Sequence, residues 1–302
     1  MNYLIVLLGP TGVGKTHASI RLAQTFSAPI LSADSRQLYK GIEIGTAAPT
    51  DAEKTLVKHY FVGTKDLQDY YSAGQYEEDV LLELQQIFAH NPYALLVGGS
   101  MMYIDAVCKG MDAIPSVDDE TRQKVLALYQ EKGLEGIVEL LKIVDPEHCK
   151  KVDFKNTRRV MHAVEVSLMT GKPYSSLLTN TEAMRDFTII KIGLTRPREE
   201  LYARINERVE IMFEQGLESE ARKLHHFKEL NALNTVGYKE IMDYIDGNYP
   251  SIEVAKEKIK QHSRQYAKRQ LTWFNKDKSI QWFHPDDVDS CIKYINTCVQ
   301  DS

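Results

Sequence analysis

A phosphate-loop pattern near the N-terminus constrains the fold of this chain more than any other feature. Residues 9–16 read GPTGVGKT and fit G-x-x-x-x-G-K-[ST]. The apolar run Tyr3–Leu8 before them predicts a buried strand, and the pattern after them predicts a helix, which is the context that this motif requires. Glycines let backbone N–H groups turn towards phosphate oxygens, and the start of a helix adds partial positive charge. The sequence therefore predicts a polyphosphate site, with a glycine-rich turn that binds nothing as the alternative.

The chemistry of the loop assigns its side chains. Lys15 would reach the terminal phosphates, and the Thr16 hydroxyl would contact a Mg²⁺ ion. The pattern occurs in ATP-binding and other nucleotide-binding proteins, so it predicts a polyphosphate without saying which one. We expect these residues to bind it: Gly9, Thr11, Gly12, Val13, Gly14, Lys15 and Thr16.

Strand and helix patterns alternate along the first hundred residues and again near residue 190. Apolar runs at residues 3–8, 29–33, 93–97 and 187–194 predict strands, and helical patterns follow at residues 15–26 and 76–90. This alternation is typical of a parallel sheet that is covered on both faces. We therefore expect an α/β fold with a P-loop parallel-sheet core and helices on both of its faces.

A second kind of pattern fills the middle of the chain. Between Pro115 and Met184 the sequence predicts helices at residues 118–132, 134–144, 155–170 and 175–184, and no strand. We expect an all-helical insertion domain, which divides the chain into residues 1–113 (first part of the core), 114–186 (insertion) and 187–302 (core completion and C-terminal helices). From Arg198 onward we expect helices only, including a long one at 252–274 with Ser251 as its N-cap.

The charge distribution is more informative than the net charge of −5, which argues weakly against a nucleic-acid partner. Residues 256–278 contain eight basic and two acidic residues, and residues 150–159 contain five basic residues and one acidic residue. Such islands are typical of a surface that binds nucleic acid, although a solvated helix face is the alternative. The longest apolar run is far shorter than the roughly 20 residues of a membrane helix, so we expect no membrane partner. The four cysteines lack zinc-site spacing and are typical of a reducing cytoplasm.

A carboxylate follows the second predicted strand. Asp34 lies in the segment SADSRQLY (residues 32–39), and in a parallel sheet the carboxyl ends of the strands form the ligand crevice. Asp34 would then face the phosphate loop across the cleft. The alternative is a capping box, in which Asp34 is a helix N-cap and Gln37 follows three residues later.

The phosphate loop at residues 9–16 and the segment at residues 32–39 together resemble motifs of the tRNA dimethylallyltransferase (isopentenyltransferase) family. Four further segments resemble family motifs in the same order along the chain: GIEIGTA at residues 41–47, LVGGSMMY at 96–103, VGYKE at 236–240 and RQYAKRQLTWF at 264–274. The motifs span nearly the whole chain, and their ordered set is much more specific than any single one of them.

The resemblance implies transfer of a dimethylallyl group from dimethylallyl diphosphate to the N6 amine of adenosine 37, next to the anticodon on its 3′ side, in tRNAs that read codons beginning with U. Diphosphate is released. Asp34 matches the general base of the family, a role typically worth about 10²–10⁴-fold in rate. Lys15, Thr16 with Mg²⁺, and Arg208 would stabilise the leaving diphosphate. Arg208 lies at the edge of an apolar helix stripe, so a snorkelling side chain is the alternative.

The same resemblance implies an anticodon stem-loop of tRNA as partner, gripped by the insertion, with the target base leaving its stack. Lys260, Arg264 and Lys268 recur every fourth residue and would follow a phosphate backbone. His162 stands where the family commonly has an arginine. We expect contacts to tRNA from the following residues: Asp34, Ser35, Arg36, Gln37, Ser100, Arg122, Arg158, Arg159, His162, Gly237, Tyr238, Lys239, Lys260, Arg264 and Lys268.

Three other functions remain open on the sequence. A P-loop kinase of small molecules would share the loop and the sheet, but the insertion and the segment 264–273 have no evident use in it. An ATP-driven RNA-binding module would need a strand ending in aspartate, whereas residues 93–97 are followed by two glycines. A prenyltransferase acting on free AMP or ADP is the third, and the basic islands favour tRNA over it. We expect a cytoplasmic monomer.

Overall fold

A six-stranded sheet organises the core, in a computed structural model that describes residues 1–112, 114–179 and 181–301. The strands are β1 (Tyr3–Leu8), β2 (Ile30–Ala33), β3 (His59–Tyr60), β4 (Tyr93–Gly98), β5 (Thr188–Leu194) and β6 (Gln281–Phe283). Their order across the sheet is β3-β2-β4-β1-β5-β6, and every neighbouring pair is parallel. All six residues of β1 are buried, because β1 lies inside the sheet with helices on either side of it.

The helices follow the strands in the manner of a parallel α/β fold. In chain order they are α1 (Lys15–Thr25), α2 (Glu43–Thr46), α3 (Asp51–Leu56), α4 (Ala73–Phe88), α5 (Met101–Lys109), α6 (Asp119–Val144), α7 (Pro146–Cys149), α8 (Thr157–Thr170), α9 (Tyr174–Leu177), α10 (Arg198–Glu214), α11 (Leu217–Lys223), α12 (Tyr238–Ile245), α13 (Ile252–Phe274) and α14 (Val288–Gln300). Two short 3₁₀ turns, His225–Phe227 and Asn231–Leu233, precede α12.

Alternate residues of β1 separate the two faces of the sheet. Leu4, Val6 and Leu8 pack in one apolar cluster with residues of α4, α5 and α12. Tyr3, Ile5 and Leu7 pack in a second cluster with residues of α1 and α14. Because successive side chains of a strand point to opposite faces, both faces are covered, and the predicted α/β fold is confirmed.

The chain divides into two compact units. One comprises Met1–Cys108 together with the chain from Met184 onward, and the other is Lys109–Ala183. The second unit contains α6 to α9, which surround an apolar core of their own that includes Val125, Ile137 and Leu141. The predicted bounds for this insertion were residues 114–186, and the boundary at residue 113 lies outside the described residues.

Several predicted elements differ from the observed ones. The strands β3 and β6 were not predicted, and β6 contradicts the expectation of helices only after Arg198; segments of two or three residues are too short to show an alternating pattern. The predicted helices 118–132 and 134–144 form one segment that is interrupted at Gly133, where φ is 65°. The helix expected at 175–184 is limited to α9, and its residue 180 lies outside the described residues.

The long helix α13 has the predicted bounds, and Ser251 is its N-cap residue as predicted, although its side chain makes no capping hydrogen bond. Within the described parts of the chain, we find no helix that combines the length and the apolar content needed to cross a membrane. The carboxyl ends of the parallel strands lie on one edge of the sheet, which brings together the segments that follow β1, β2 and β4.

Candidate functional site

The phosphate loop has a backbone that requires its glycines. It connects β1 directly to α1, and Gly9, Gly12 and Gly14 all have positive φ, of 154°, 78° and 108°. A Cβ atom at Gly9 would lie 2.7 Å from the Leu194 carbonyl oxygen, and one at Gly12 would lie 2.7 Å from a side-chain carbon of Ile205. Side chains at these positions would both strain the backbone and displace the neighbouring elements.

Cationic side chains donate hydrogen bonds to the carbonyl oxygens of this loop. The Lys15 ammonium donates to the carbonyls of Gly9 and Pro10, each at 2.9 Å. Arg196 Nε donates to the Val13 carbonyl at 3.0 Å, and Arg204 Nε donates to the Gly12 carbonyl at 3.2 Å. Three cationic side chains therefore hold the loop. Arg196 is also paired with Glu200 and Asp286, so Lys15 and Arg204 are the ones that make the surroundings of the loop favourable for an anion.

Two cations and one carboxylate interact at the centre of the site. Burial and the nearby Arg208 guanidinium lower the pKa of Lys15 to about 8, while Asp34 acts in the opposite direction. Burial also lowers the pKa of Arg208, and Asp34 again opposes the shift. Removing two like charges from water is costly unless an anion accompanies them. A diphosphate placed between Lys15 and Arg208 would offset both the cost of removing these two cations from water and their mutual repulsion.

Asp34 closes a turn at the end of β2. Its Oδ1 accepts the N–H groups of Arg36 at 2.9 Å and of Gln37 at 3.3 Å. Residues 35–38 form turns and not a helix, so the alternative interpretation of Asp34 as a helix N-cap is wrong: the carboxylate stabilises the start of a turn, as aspartate side chains commonly do. Neither bond uses Oδ2, so stabilising the turn and accepting a proton are compatible in one side chain.

Ser100, which lies between β4 and α5, holds that turn in place. The Ser35 N–H donates to Ser100 Oγ at 2.8 Å, and the Ser100 hydroxyl lies 3.2 Å from Ser35 Oγ. Ser100 itself is 8% exposed. The ends of β2 and β4 are this close because Gly98 has no side chain: a Cβ atom there would lie 2.1 Å from the Ala33 carbonyl oxygen.

The side chains that follow Asp34 hold neighbouring segments in place. Arg36 donates to the carbonyls of Asn231 at 2.7 Å and Asn234 at 3.4 Å. Gln37 Nε2 donates to the carbonyls of Thr46 at 3.2 Å and Ala47 at 3.1 Å. Arg208 also donates to the Thr46 carbonyl, at 3.4 Å. The structure thus brings the predicted residues 34–37, Ser100, Arg208 and the phosphate loop together at one edge of the sheet.

Two residues of α13 belong to this site although the sequence reasoning did not assign them. The Tyr266 hydroxyl hydrogen-bonds Ser100, and burial together with Asp34 raises the pKa of Tyr266 to about 12. Gln270 is bonded to both the phosphate loop and Gly99. Buried polar side chains are normally hydrogen-bonded, so the helical spacing of Gln270 with the apolar Ala267 and Phe274 could have indicated such a contact.

Tyr238 is a correction to the predicted tRNA contacts. It is fully buried, its hydroxyl donates to Glu220, and it accepts the Gly45 N–H at 3.1 Å. Burial raises its pKa, so it stays a neutral phenol. Tyr238 has no surface to offer to RNA and instead supports α2, whose last residue, Thr46, binds Arg208. Gly237 is also buried, while Lys239 is exposed.

The basic stripe on α13 faces a neighbouring helix over most of its length, which corrects the prediction for Lys260. Its side chain is 14% exposed and forms ion pairs of 2.6 Å with Glu210 and Glu257. Arg264 donates to Asn206 of α10 at 2.5 Å. Spacing along a helix shows which residues share a face but not what that face contacts. Of the three residues, Lys268 is the exposed one.

Four of the residues predicted to contact tRNA lie in the insertion. Arg158, Arg159 and His162 are exposed on the first turns of α8. His162 lies 3.7 Å from Glu165. Arg122 is 41% exposed in its side chain and lies 3.7 Å from Asp119 on the first turn of α6.

The site offers few protein ligands for a metal. Thr16, at the start of α1, is exposed. Among the described residues, no group of three or more histidine, cysteine, aspartate or glutamate side chains could hold a metal ion. The Thr16 hydroxyl is the kind of oxygen ligand that Mg²⁺ takes beside a phosphate loop.

Comparisons with known proteins agree on one family. The family model described as IPP transferase matches residues 37–277. A protein of Phocaeicola vulgatus named tRNA dimethylallyltransferase 1 is 55% identical, over 97% of this chain and 98% of its own length.

Solved structures lead to the same family. The full-length tRNA isopentenylpyrophosphate transferase of Bacillus halodurans is 33% identical, with a TM-score of 0.72 over 100% of this chain and 96% of that one. A eukaryotic dimethylallyltransferase described as acting on tRNA is 25% identical, with a TM-score of 0.82 over 96% of this chain and 75% of that one. The similarity therefore covers the core and the insertion alike.

Proposed function

The chain belongs to the IPP transferase family, and from this membership we propose that it is a tRNA dimethylallyltransferase. The reaction moves a dimethylallyl group from dimethylallyl diphosphate to the N6 amine of adenosine 37 in tRNAs that read codons beginning with U. The observation that carries the proposal is the convergence of two partly buried cations, Lys15 and Arg208, with the Asp34 carboxylate, which follows β2 beside the phosphate loop.

The cations suit a diphosphate leaving group. When the bond between the dimethylallyl C1 and the diphosphate oxygen breaks, its electron pair stays on that oxygen and adds negative charge. Lys15 and Arg208 stabilise this charge from positions that are fixed before the reaction, so no solvent has to reorganise. The Lys15 pKa of about 8 keeps the ammonium largely protonated at pH 7, and a bound anion raises that pKa further.

Asp34 suits the proton that the acceptor must lose. The N6 lone pair of adenine is delocalised into the ring, which makes this amine a weak nucleophile. As N6 forms its bond to C1, one N6 proton passes to a carboxylate oxygen of Asp34, and the acceptor stays uncharged. The hydrogen bonds from Arg36 and Gln37 to Oδ1 hold the carboxylate in one orientation.

Mg²⁺ is part of the proposal. The Thr16 hydroxyl and the oxygens of the diphosphate would hold it, and the ion would supply further positive charge to the leaving group. Thr16 follows Lys15 at the start of α1, so the hydroxyl and the ammonium approach the same phosphates.

The partner in this proposal is the anticodon stem-loop of a tRNA. The exposed residues Arg158, Arg159 and His162 on α8 offer positive or hydrogen-bonding groups to a phosphate backbone, as do Lys239 and Lys268 in the core. Adenosine 37 leaves its stack to reach Asp34. A monomer in the cytoplasm completes the proposal. The four free thiols are typical of a reducing compartment.

The decisive experiment is mass spectrometry of nucleosides from unmodified tRNA that has been incubated with the protein, Mg²⁺ and dimethylallyl diphosphate. We expect N6-dimethylallyl adenosine from tRNAs reading U-initial codons. The same incubation with AMP in place of tRNA is the control for a free-nucleotide enzyme. In a parallel incubation with ATP added, consumption of ATP without formation of a prenylated nucleoside would instead identify a kinase.

A further inference from the structure

Gln270 joins two walls of the active site through a single buried side chain. It lies in the last two turns of α13 and is 2% exposed. Its Oε1 accepts the N–H of Thr11 in the phosphate loop at 2.9 Å. Its Nε2 donates to the carbonyl of Gly99, just after β4, at 2.8 Å. One amide therefore satisfies a donor on one wall and an acceptor on the other.

The two walls carry different parts of the chemistry. Thr11 belongs to the loop that holds the diphosphate. Gly99 precedes Ser100, whose hydroxyl accepts the Ser35 N–H next to Asp34. The Gln270 amide packs directly against the backbone of Gly99, because a Cβ atom at Gly99 would lie 2.3 Å from Nε2 of Gln270. A change in the amide would thus shift the phosphate loop, the Asp34 turn, or both.

We propose that Gln270 is a positioning residue that sets the distance between the diphosphate and the general base. This inference rests on the proposed function, since it assigns the phosphate loop to the leaving group and Asp34 to the acceptor. Reacting groups must be held in a narrow geometry, and a displacement of about 1 Å can cost about 10²-fold in rate. Gln270 touches neither substrate in this assignment and acts through the two backbone segments it binds.

Glutamine is the residue that this arrangement requires. A carboxylate can accept from Thr11 but cannot donate to Gly99, and a thioether of similar length can do neither well. A protonated carboxyl group, in contrast, offers one acceptor and one donor. Gln270→Met therefore removes both bonds, while Gln270→Glu keeps one bond when ionised and restores both when protonated.

The test compares Gln270→Met and Gln270→Glu with Gln261→Met, which changes an exposed glutamine of the same helix. The measurements are the single-turnover rate of dimethylallyl transfer at saturating substrates, the KM for dimethylallyl diphosphate, the affinity for inorganic pyrophosphate, and the Tm. For Gln270→Met we expect a rate about 10- to 100-fold lower per folded molecule, with Gln261→Met unchanged.

For Gln270→Glu we expect the rate relative to wild type to rise at least threefold between pH 8 and pH 6, because burial raises the pKa of the introduced carboxyl group. Lys15 titrates in both proteins, so the ratio removes most of its contribution. A lower Tm with wild-type rates in both variants would overturn the inference and leave Gln270 a packing residue. A pH-independent ratio would overturn it as well. If wild type itself transfers no dimethylallyl group while it still binds pyrophosphate, the proposed function fails rather than the role of Gln270.

Discussion

Replacing Asp34 by asparagine separates the turn from the chemistry. The two backbone N–H groups of Arg36 and Gln37 are accepted by Oδ1, an atom that asparagine retains. Asparagine and aspartate stabilise such N–H groups about equally well. The turn should therefore form in Asp34→Asn, and the Tm should stay close to that of wild type. The amide has no basic electron pair with which to take the N6 proton.

The expected loss follows from the role of the carboxylate. A positioned general base is worth about 10²–10⁴-fold, which at about 1.4 kcal/mol per tenfold corresponds to about 2.7–5.5 kcal/mol of barrier. The charge of Asp34 has a second effect, because it supports the protonated forms of both Lys15 and Arg208. Without it, the pKa of Lys15 should fall below about 8. Diphosphate binding by the variant should then weaken at a lower pH than in wild type.

The assay is a rapid-quench single turnover with excess enzyme at pH 7, together with calorimetric binding of inorganic pyrophosphate between pH 6 and pH 9. Asp69→Asn is a control for the same substitution elsewhere, because Asp69 is an exposed aspartate whose Oδ2 also accepts a backbone N–H, that of Asp66. We expect the control to transfer at the wild-type rate. A single-turnover rate of Asp34→Asn within threefold of wild type would refute the assignment of Asp34 as the base.

Three further predictions concern the charges of the site. Pyrophosphate binding at pH 8 should take up about half a proton, because the bound anion raises the pKa of Lys15 from about 8. The affinity for pyrophosphate should therefore fall as the pH rises through that value. Equal calorimetric binding enthalpies in buffers of different ionisation enthalpy would contradict this proton uptake. Arg208→Ala should lower the transfer rate by about 10²–10³-fold and leave tRNA affinity unchanged, whereas loss of tRNA binding alone would remove Arg208 from the diphosphate site. Lys268→Ala should reduce the slope of log affinity for tRNA against log salt concentration by about 1, as measured by filter binding. Lys260→Ala and Arg264→Ala should each change this slope by less than half of that, because both side chains are bonded to α10. Equal effects of all three substitutions would show that the whole stripe contacts RNA.

The sequence predicts the elements of the site better than their contacts. The loop at residues 9–16, the strand β1 and the helix α13 have the expected positions because each has a long or chemically specific pattern. The strands β3 and β6 were missed because two or three residues carry no periodicity.

Side-chain roles depend on tertiary neighbours that a sequence does not reveal. Tyr238 lies in a segment that resembles a family motif, yet its ring is buried against α2 and Glu220. Lys260 has the spacing of an RNA-binding stripe, yet Glu210 on another helix neutralises it. Arg196 and Gln270 act on the phosphate loop from about 180 and 260 residues away in the chain, so no local pattern could assign them.

The place of β1 in the sheet also governs how the chain can fold while it is being synthesised. One neighbour of β1 is β4, but Tyr3 pairs on its other side with Thr188 in β5, which is made only after the whole insertion. At about 5–20 residues per second, a ribosome needs roughly 10 to 40 s to cover that distance. During this time one edge of a fully apolar strand has no partner, which is a hazard for aggregation.

The insertion makes it easier for β5 to reach β1 and to cover its unpaired edge. It has an apolar core of its own, and the N–H of Ala183 donates to the carbonyl of Lys109 at 2.7 Å, which closes its two ends. Once these ends meet, the connection from α5 to β5 no longer behaves as an open loop of some 75 residues, and the entropy cost of bringing β5 to β1 falls. Substitutions that loosen the insertion should therefore lower the yield of folded protein during translation even where they leave the assembled sheet unchanged.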